Sequence, residues 1–342
     1  MVYNGHSDCC GNRIGAQTLS NSKIYKTSIG GQALIEGIMM VGPEKTAIVV
    51  RAPEEEGGMA VKVEENKLLK DRYPILGLPL LRGAVGFATT TVKGVRALMF
   101  SADYYPDDGE AAEVEEKPSK FEAWLEKTLG SEKAMNVIIY IAAIVGMAFS
   151  IGLFFLLPSF IGELVFGGIP AFWVRNLLEG VLRIGIFLVY LILCSRMKDM
   201  KRVFSYHGAE HKTIACYESG LPLTVENVRG CSRFHPRCGT SFLFVVMVVS
   251  IIVFSILFTF VKPANMFVRV GLRLLMIPLV VGITYEINRF VGRNDNICTR
   301  FVSKPGMWLQ NFTTNEPDDS MIEVGIKAFF LVVPEEKGSD AW

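Results

Sequence analysis

Histidine is scarce in this chain, with four residues among 342. An excess of charge is missing too, since 35 Lys and Arg face 34 Asp and Glu. That balance removes the electrostatic case for a nucleic-acid partner or a strongly acidic one. The cysteines number seven and follow no regular framework. They give no disulfide scaffold and point to reduced thiols on the cytoplasmic side. Residues 1–26, MVYNGHSDCCGNRIGAQTLSNSKIYK, lack the apolar core of a signal peptide, so insertion is expected to use internal helices. The same stretch has no periodicity and reads as a polar tail, with His6, Cys9 and Cys10 as tail residues in preference to ligands.

What the chain does have is long uncharged runs. Ala134 to Gly162 is 29 residues without a charge, and Cys238 to Val261 is 24. A bilayer core needs roughly 20 apolar residues in a helix, so this is expected to be an α-helical multi-pass membrane protein. Four spans are expected, at about 134–157, 176–195, 240–261 and 272–291. The second carries Glu179 and Arg183, four residues apart on one helix face, where they can pair. The fourth is the weakest, with Pro278 to kink it, Arg273 placed to snorkel to an interface and Glu286 towards its other end. Lys and Arg number one in 158–175, eight in 196–239 and six in 289–342. This asymmetry predicts both termini and the 196–239 loop on the cytoplasmic side of the cell membrane.

Ahead of the spans, residues 27–101 are expected to hold a small β-containing region and one helix. KTAIVVRAP and MAVKVEE are β-branched runs separated by EEEGG, a hairpin pattern. GGQALIEGIMMVGP reads as a strand bounded by glycine turns, with Glu36 either structural or facing a ligand. Pro79–Phe100 is two-faced. Arg82, Lys93 and Arg96 recur on one stripe, while Val85, Ala88, Val92, Val95 and Met99 recur on another. It suits a helix in the membrane interface, or one packed on the protein with its basic face in water. Residues 102–120, with seven acids, read as a solvated linker, and 121–133 as an amphipathic helix opening the 121–195 region. The loop 196–239, the last two spans (240–292) and a C-terminal segment (293–342) complete the order. In that last segment, Asp319 or Ser320 reads as a helix N-cap.

Three of the four histidines fall between Tyr206 and Cys238. SYHGAEHKTIACYE places His207 and His211 one helical turn apart, with Glu210 beside them. H-x-x-E-H is the inverted zincin order, two imidazole ligands with a carboxylate able to take a proton. CSRFHPRCGTSF then offers His235 and Cys238, with Pro236 and Gly239 shaping the turn that would carry them. Two or three imidazoles and a thiolate suit a divalent metal, zinc first. Cys216, Glu218, Glu316 and Glu323 are reserves. The expected function is a zinc-type hydrolase with Glu210 as its general base, and metal ligands among His207, His211, His235 and Cys238. A non-enzymatic protein with a structural metal, acting in transport, sensing or as a scaffold, is the rival.

GGQALIEGIMMVGP, PLLRG, FSYHGAEHKTIACYE, LTVENVRGCSRFHPRCGTSF, TYEINR and PGMWLQNFTTNEPDDSMIEVGIKAF together resemble the bacterial YqhQ-like membrane family, domain of unknown function 1385. The resemblance runs from about Ser28 to Phe330, and it implies a multi-pass membrane protein described as a predicted metal-dependent enzyme. It implies no particular reaction. His207, Glu210, His211, His235 and Cys238 match the family pattern position by position. The bilayer is the one partner the sequence specifies; substrate and oligomeric state, a homo-oligomer included, stay open.

Overall fold

The computed structural model describes residues 26–52, 58–66, 73–104, 141, 144–262, 265–294, 296–335 and 339–340. The expected N-terminal tail, the EEEGG turn, the acidic linker from residue 105 and the 121–133 helix lie outside these residues, as does most of 134–143. The chain is mostly helical, with a small N-terminal sheet and four helices long and apolar enough to cross a membrane. It divides into two compact units. One holds residues 1–105, 190–250 and 276–342; the other holds 106–189 and 251–275.

The first unit is built on an antiparallel meander, β1 (Gly30–Leu34), β2 (Gly37–Val41), β3 (Lys45–Arg51) and β4 (Met59–Glu65), in that order. The expected 45–65 hairpin is present, with Ala47 opposite Val63. GGQALIEGIMMVGP differs from expectation. It is two strands, and Glu36 sits at the turn between them with φ +52°. A left-handed conformation is costly away from glycine, and here the side chain is held from outside the sheet. The Glu36 carboxylate accepts from Arg202, with Nη2 2.7 Å from Oε2, and from Tyr206 Oη at 3.0 Å.

Both faces of the inner strands are covered, which explains their unbroken apolar run. Ile38, Met40, Ala47 and Val49 pack with Tyr206, Ala209, Ile214, Val324 and Phe329. Leu34, Met39, Ile48 and Val50 pack instead around Ala97. The edge strand β4 keeps Lys62 and Glu64 exposed, charges that discourage pairing with another chain.

Ala97 belongs to α1 (Leu81–Ala102), which turns Gly83, Gly94, Ala97 and Ser101 inward. Its basic stripe is partly an anchor. Arg82 pairs with Glu286, and Lys93 Nζ reaches Asn66 Oδ1 at 2.6 Å. Val92, Val95 and Met99 of the apolar stripe stay exposed. The helix is packed on the protein through its small residues, with Arg96 of the basic stripe exposed.

The four long apolar helices are α2 (Ile144–Phe166), α3 (Phe172–Arg196), α6 (Gly239–Phe260) and α7 (Met266–Arg293). The first runs further than expected, because Pro158 does not end it. A π-turn over Gly152–Leu156 precedes the proline, and the Leu157 N–H bonds to Gly152 O five residues back. The wider turn leaves the helix able to pass a residue that has no N–H to give. Between the second and third long helices lie α4 (Lys198–Glu218) and the single turn α5 (Val225–Arg229). After the fourth come α8 (Ile297–Thr313), opened by an Asn296–Thr299 capping box, and α9 (Asp319–Phe330). The α9 cap is Asp318, one residue before the expected position; its side chain accepts from Met321 N. Thr27 Oγ1 donates to Asp340 Oδ2 at 2.6 Å, which places the two ends of the described chain side by side.

Within the second unit, Glu179 is almost fully buried, and its main partner is not Arg183. Arg273 donates to both its oxygens, with Nη2 2.9 Å from Oε2, and Ser159 Oγ donates at 2.6 Å, while Arg183 stands 3.8 Å away. Arg273 is 1% exposed. The expected snorkelling is thus overturned, because a buried carboxylate competes successfully for the guanidinium.

Helix α4 packs its Gly208 against the backbone of Asn315, where an added methyl would meet the carbonyl oxygen. Gly208→Ala should therefore destabilise the fold by about 1–3 kcal/mol, as overpacking does. A lower thermal midpoint in detergent would register the loss. Gly30→Ala, with open space around it, should leave that midpoint nearly unchanged.

Candidate metal centre

Helix α4 carries little apolar sequence, yet residues Gly208–Cys216 are all buried. Every polar group in that stretch must then find a partner inside the protein. Lys212 reaches Arg229 O at 2.9 Å and Glu316 at 2.8 Å; Thr213 returns its hydroxyl to Ala209 O at 2.8 Å. Each of the two histidines is tied to a backbone carbonyl through Nδ1. His207 Nδ1 lies 2.8 Å from Thr313 O, and His211 Nδ1 lies 2.6 Å from Arg233 O. A carbonyl only accepts, so each Nδ1 carries a proton and each ring directs its Nε2 away from that carbonyl.

Those Nε2 atoms converge with Cys238, which stands just before α6. His207 Nε2 is 3.2 Å from Cys238 Sγ, and the His207 and His211 rings meet edge to face at 4.3 Å. One donor atom from each of His207, His211 and Cys238 lies within 4.8 Å of the others. His211 Nε2 and Glu210 Oε2 are both buried without a hydrogen-bond partner. Glu210 accepts from the backbone N–H of Gly31 on the sheet. A Cβ on Gly31 would come 3.0 Å from the Glu210 carboxyl carbon, so the approach requires glycine.

The charges interlock. Burial by itself lowers His207, but the Cys238 thiolate outweighs it and carries the imidazole up to about 9. Cys238 shows the converse. Burial raises the thiol, and the imidazoles of His207 and His211 more than reverse that, holding it well below the usual thiol range. Glu210 is raised above the ordinary carboxylate range by burial, against the pull of His207 and His211.

His235 stands outside the trio. Its ring is 5.6 Å from that of His211, centroid to centroid, and its Nε2 lies 3.5 Å from Glu218 Oε2. Gln310 clasps its backbone, accepting from His235 N at 2.8 Å and donating to His235 O at 2.7 Å. Two of the reserve residues are engaged elsewhere. Glu218 also binds Arg237 and the Thr27 N–H, and Glu316 pairs with Lys212 and Arg233. Gly31, Thr313, Arg233 and Gln310 were not legible as site residues. Three act through backbone atoms, which leave no trace in residue type; only the Gly30–Gly31 pair hinted at a close approach.

The fold and the cluster define a multi-span membrane protein with a histidine–thiol constellation in its compact unit. The chain belongs to the family described as protein of unknown function (DUF1385), which matches residues 78–335. It is 32% identical over 308 residues to the uncharacterized protein YqhQ of Bacillus subtilis (strain 168), covering 88% of this chain and 90% of that protein. No solved structure matches the chain.

Glu218 is a test of how the loop beside the cluster is held. Burial raises its carboxyl, but the hydrogen bond from His235 and the Arg237 guanidinium lower it further, below its ordinary value. Its folded pKa is depressed, so its stabilisation is complete above the unfolded value of about 4.3 and fades as pH falls below it. Glu218→Gln should cost about 3–5 kcal/mol near neutral pH by leaving Arg237 buried and unpaired. Thermal melts against pH should show the gap between wild type and mutant closing only in acid, under about pH 4.3.

Proposed function

We propose that this chain is a membrane-embedded, metal-dependent hydrolase, with His207, His211 and Cys238 as the metal ligands and Glu210 as the proton-transfer group. The observation that carries the reading is the convergence of one ring nitrogen from each of His207 and His211 with Cys238 Sγ, all within 4.8 Å of one another, with each imidazole tied at Nδ1 to a backbone carbonyl. That outer hydrogen bond is how ligating histidines are commonly oriented. The buried, unpartnered His211 Nε2 is what a ligand atom looks like before it meets its ion. Two imidazoles and a thiolate are a zinc-type donor set, and three protein ligands leave one position for water or substrate. A divalent ion there supplies Lewis acidity and makes water a usable nucleophile near neutral pH.

The chain's own part is orientation and proton handling. Gly31 holds one oxygen of Glu210 by its N–H and leaves Oε2 free. Burial raises the Glu210 carboxyl above the ordinary carboxylate range, the direction that strengthens it as a proton acceptor. His235, hydrogen-bonded through Glu218 and Gln310, braces the loop that presents Cys238. The compact unit carrying the site belongs on the cytoplasmic face of the cell membrane in this reading. The Lys and Arg asymmetry supports that side, and the Thr27–Asp340 bond supports an even number of crossings between the ends.

The structural-metal reading keeps one observation in its favour. His211 and Glu210 are 1% and 5% exposed, close for a substrate site. A groove of about 500 Å³ lined by Leu223, Val225, Ile326 and Phe330 shares no residue with the cluster.

Elemental analysis of detergent-purified protein should find about one zinc per chain. His207→Ala, His211→Ala and Cys238→Ala should each lose it, and His235→Ala should keep it. Loss in His235→Ala together with retention in Cys238→Ala would overturn the ligand set. Glu210→Gln should retain the metal yet fail to complement a deletion strain. Full complementation by Glu210→Gln would end the hydrolase reading and leave the structural one.

A further inference from the structure

The second unit buries more arginine than carboxylate in its described helices, which the cluster in the first does not explain. Its described charged residues are Glu163, Arg175, Glu179, Arg183, Lys262, Arg269 and Arg273. Four arginines therefore share two carboxylates, and all four are buried, with exposures of 8% for Arg175, 7% for Arg183, 8% for Arg269 and 1% for Arg273. All four lie on helices long and apolar enough to cross a membrane.

They are arranged as a ladder. Arg175 and Arg269 both reach Glu163, whose side chain is half exposed, with Arg269 Nη1 at 3.3 Å. Next along the helices, Arg273 is spent on Glu179, Ser159 and Asn176 Oδ1. Beyond them Arg183 has only a distant carboxylate at 3.8 Å, and rests its guanidinium over Phe155 and Phe254 at 5.2 and 5.9 Å. Arg175, Glu179 and Arg183 follow at four-residue steps on one face of α3, a ladder about 12 Å long at 1.5 Å per residue.

An arginine in a protein does not relieve burial by losing its proton. Uncompensated guanidiniums in a low-dielectric span are costly and rarely kept without a partner. Here Glu163 and Glu179 neutralise two of four. The donors left over are identified: Arg175 Nε, Arg183 Nε, Arg273 Nε and Asn176 Nδ2 are all buried and unpartnered.

We propose that this ladder is a binding site for a phosphate-bearing anion, met by Arg175 and Arg183 and admitted where Glu163 is exposed. Among the described residues the four buried guanidiniums exceed their two carboxylates by two charges, which matches a phosphate monoester dianion, and the guanidinium fork matches phosphate oxygens in pairs. Arg273 positions the site, because its contacts to Glu179 fix the helices on which Arg175 and Arg183 stand. The inference concerns residues separate from the His207–His211–Cys238 cluster and does not rest on the metal reading.

The test uses the full chain in a neutral detergent, as wild type and in a His211→Ala background, so that an ion at the cluster is not the receptor. Thermal unfolding is followed against inorganic phosphate, against sodium chloride at equal ionic strength, and against dioctanoyl phosphatidic acid with dioctanoyl phosphatidylcholine as its control. The expected result is a saturable rise in midpoint with phosphate or phosphatidic acid, in both backgrounds. The apparent affinity should weaken at least tenfold in Arg183→Met and in Arg175→Gln. A response to free phosphate would mark a soluble phosphate compound, and a response to phosphatidic acid alone would mark a lipid headgroup. A shift no larger than that of chloride would overturn the proposal, as would unchanged affinity in both variants. Arg175 lies beside the exposed Glu163, so Arg175→Gln decides the matter if Arg183→Met does not fold.

Discussion

A polar helix enclosed on every side is the constraint on which the first unit depends. Residues Gly208–Cys216 of α4 would be ordinary on a surface, but the sheet, α9 and the 229–238 loop leave them no water. Each polar side chain must then be answered by a fixed donor or acceptor. The answers come from distant segments: Gly31 for Glu210, Thr313 for His207, Arg233 for His211, and Arg229 with Glu316 for Lys212. The demands of this one helix set the positions of the loop and of the α8–α9 connection. The apolar contacts of Ile38, Val49 and Phe329 contribute the driving force, while the polar contacts decide the register.

Much of this architecture was written plainly in the sequence. The uncharged runs 134–162 and 238–261 announced helices, since only helices and closed barrels satisfy a backbone in lipid. KTAIVVRAP and MAVKVEE announced their hairpin as β-branched runs on either side of EEEGG. The failures have physical causes. GGQALIEGIMMVGP looked like one strand because a charged residue rarely occupies a left-handed turn; Glu36 does so with its carboxylate clamped by Arg202 and Tyr206. Arg273 looked like a snorkelling residue because sequence gives its position along a helix and not its neighbours across the bundle. The cluster was legible to the extent that spacing fixes it. His207 and His211 follow from helical periodicity, but the gathering of Cys238 with them, and the separate placement of His235 beside Glu218, come from the fold of the loop.

Histidine and arginine are used in contrasting ways. In the first unit, neutral backbone carbonyls hold the imidazoles, so orientation is set without spending any charge. In the second, the four buried arginines among the described residues share two carboxylates, Glu163 and Glu179. The first arrangement suits a small cation and the second an anion, and each is recognisable from the atoms left without partners.

The cluster also imposes an order on how the protein is made. Gly31 emerges before the first apolar helix, His207 to Cys238 between the second and third, and Thr313 after the fourth. A chain still on the ribosome can have all three convergent donor atoms translated and still lack the carbonyl that turns His207 towards them. The constellation becomes complete only once both pairs of apolar helices have been made and the last segment has docked. A product truncated within α8 would keep His207, His211 and Cys238 and still be immature, so the C-terminal segment acts as the finishing step in the biogenesis of a site to which it gives no side-chain donor.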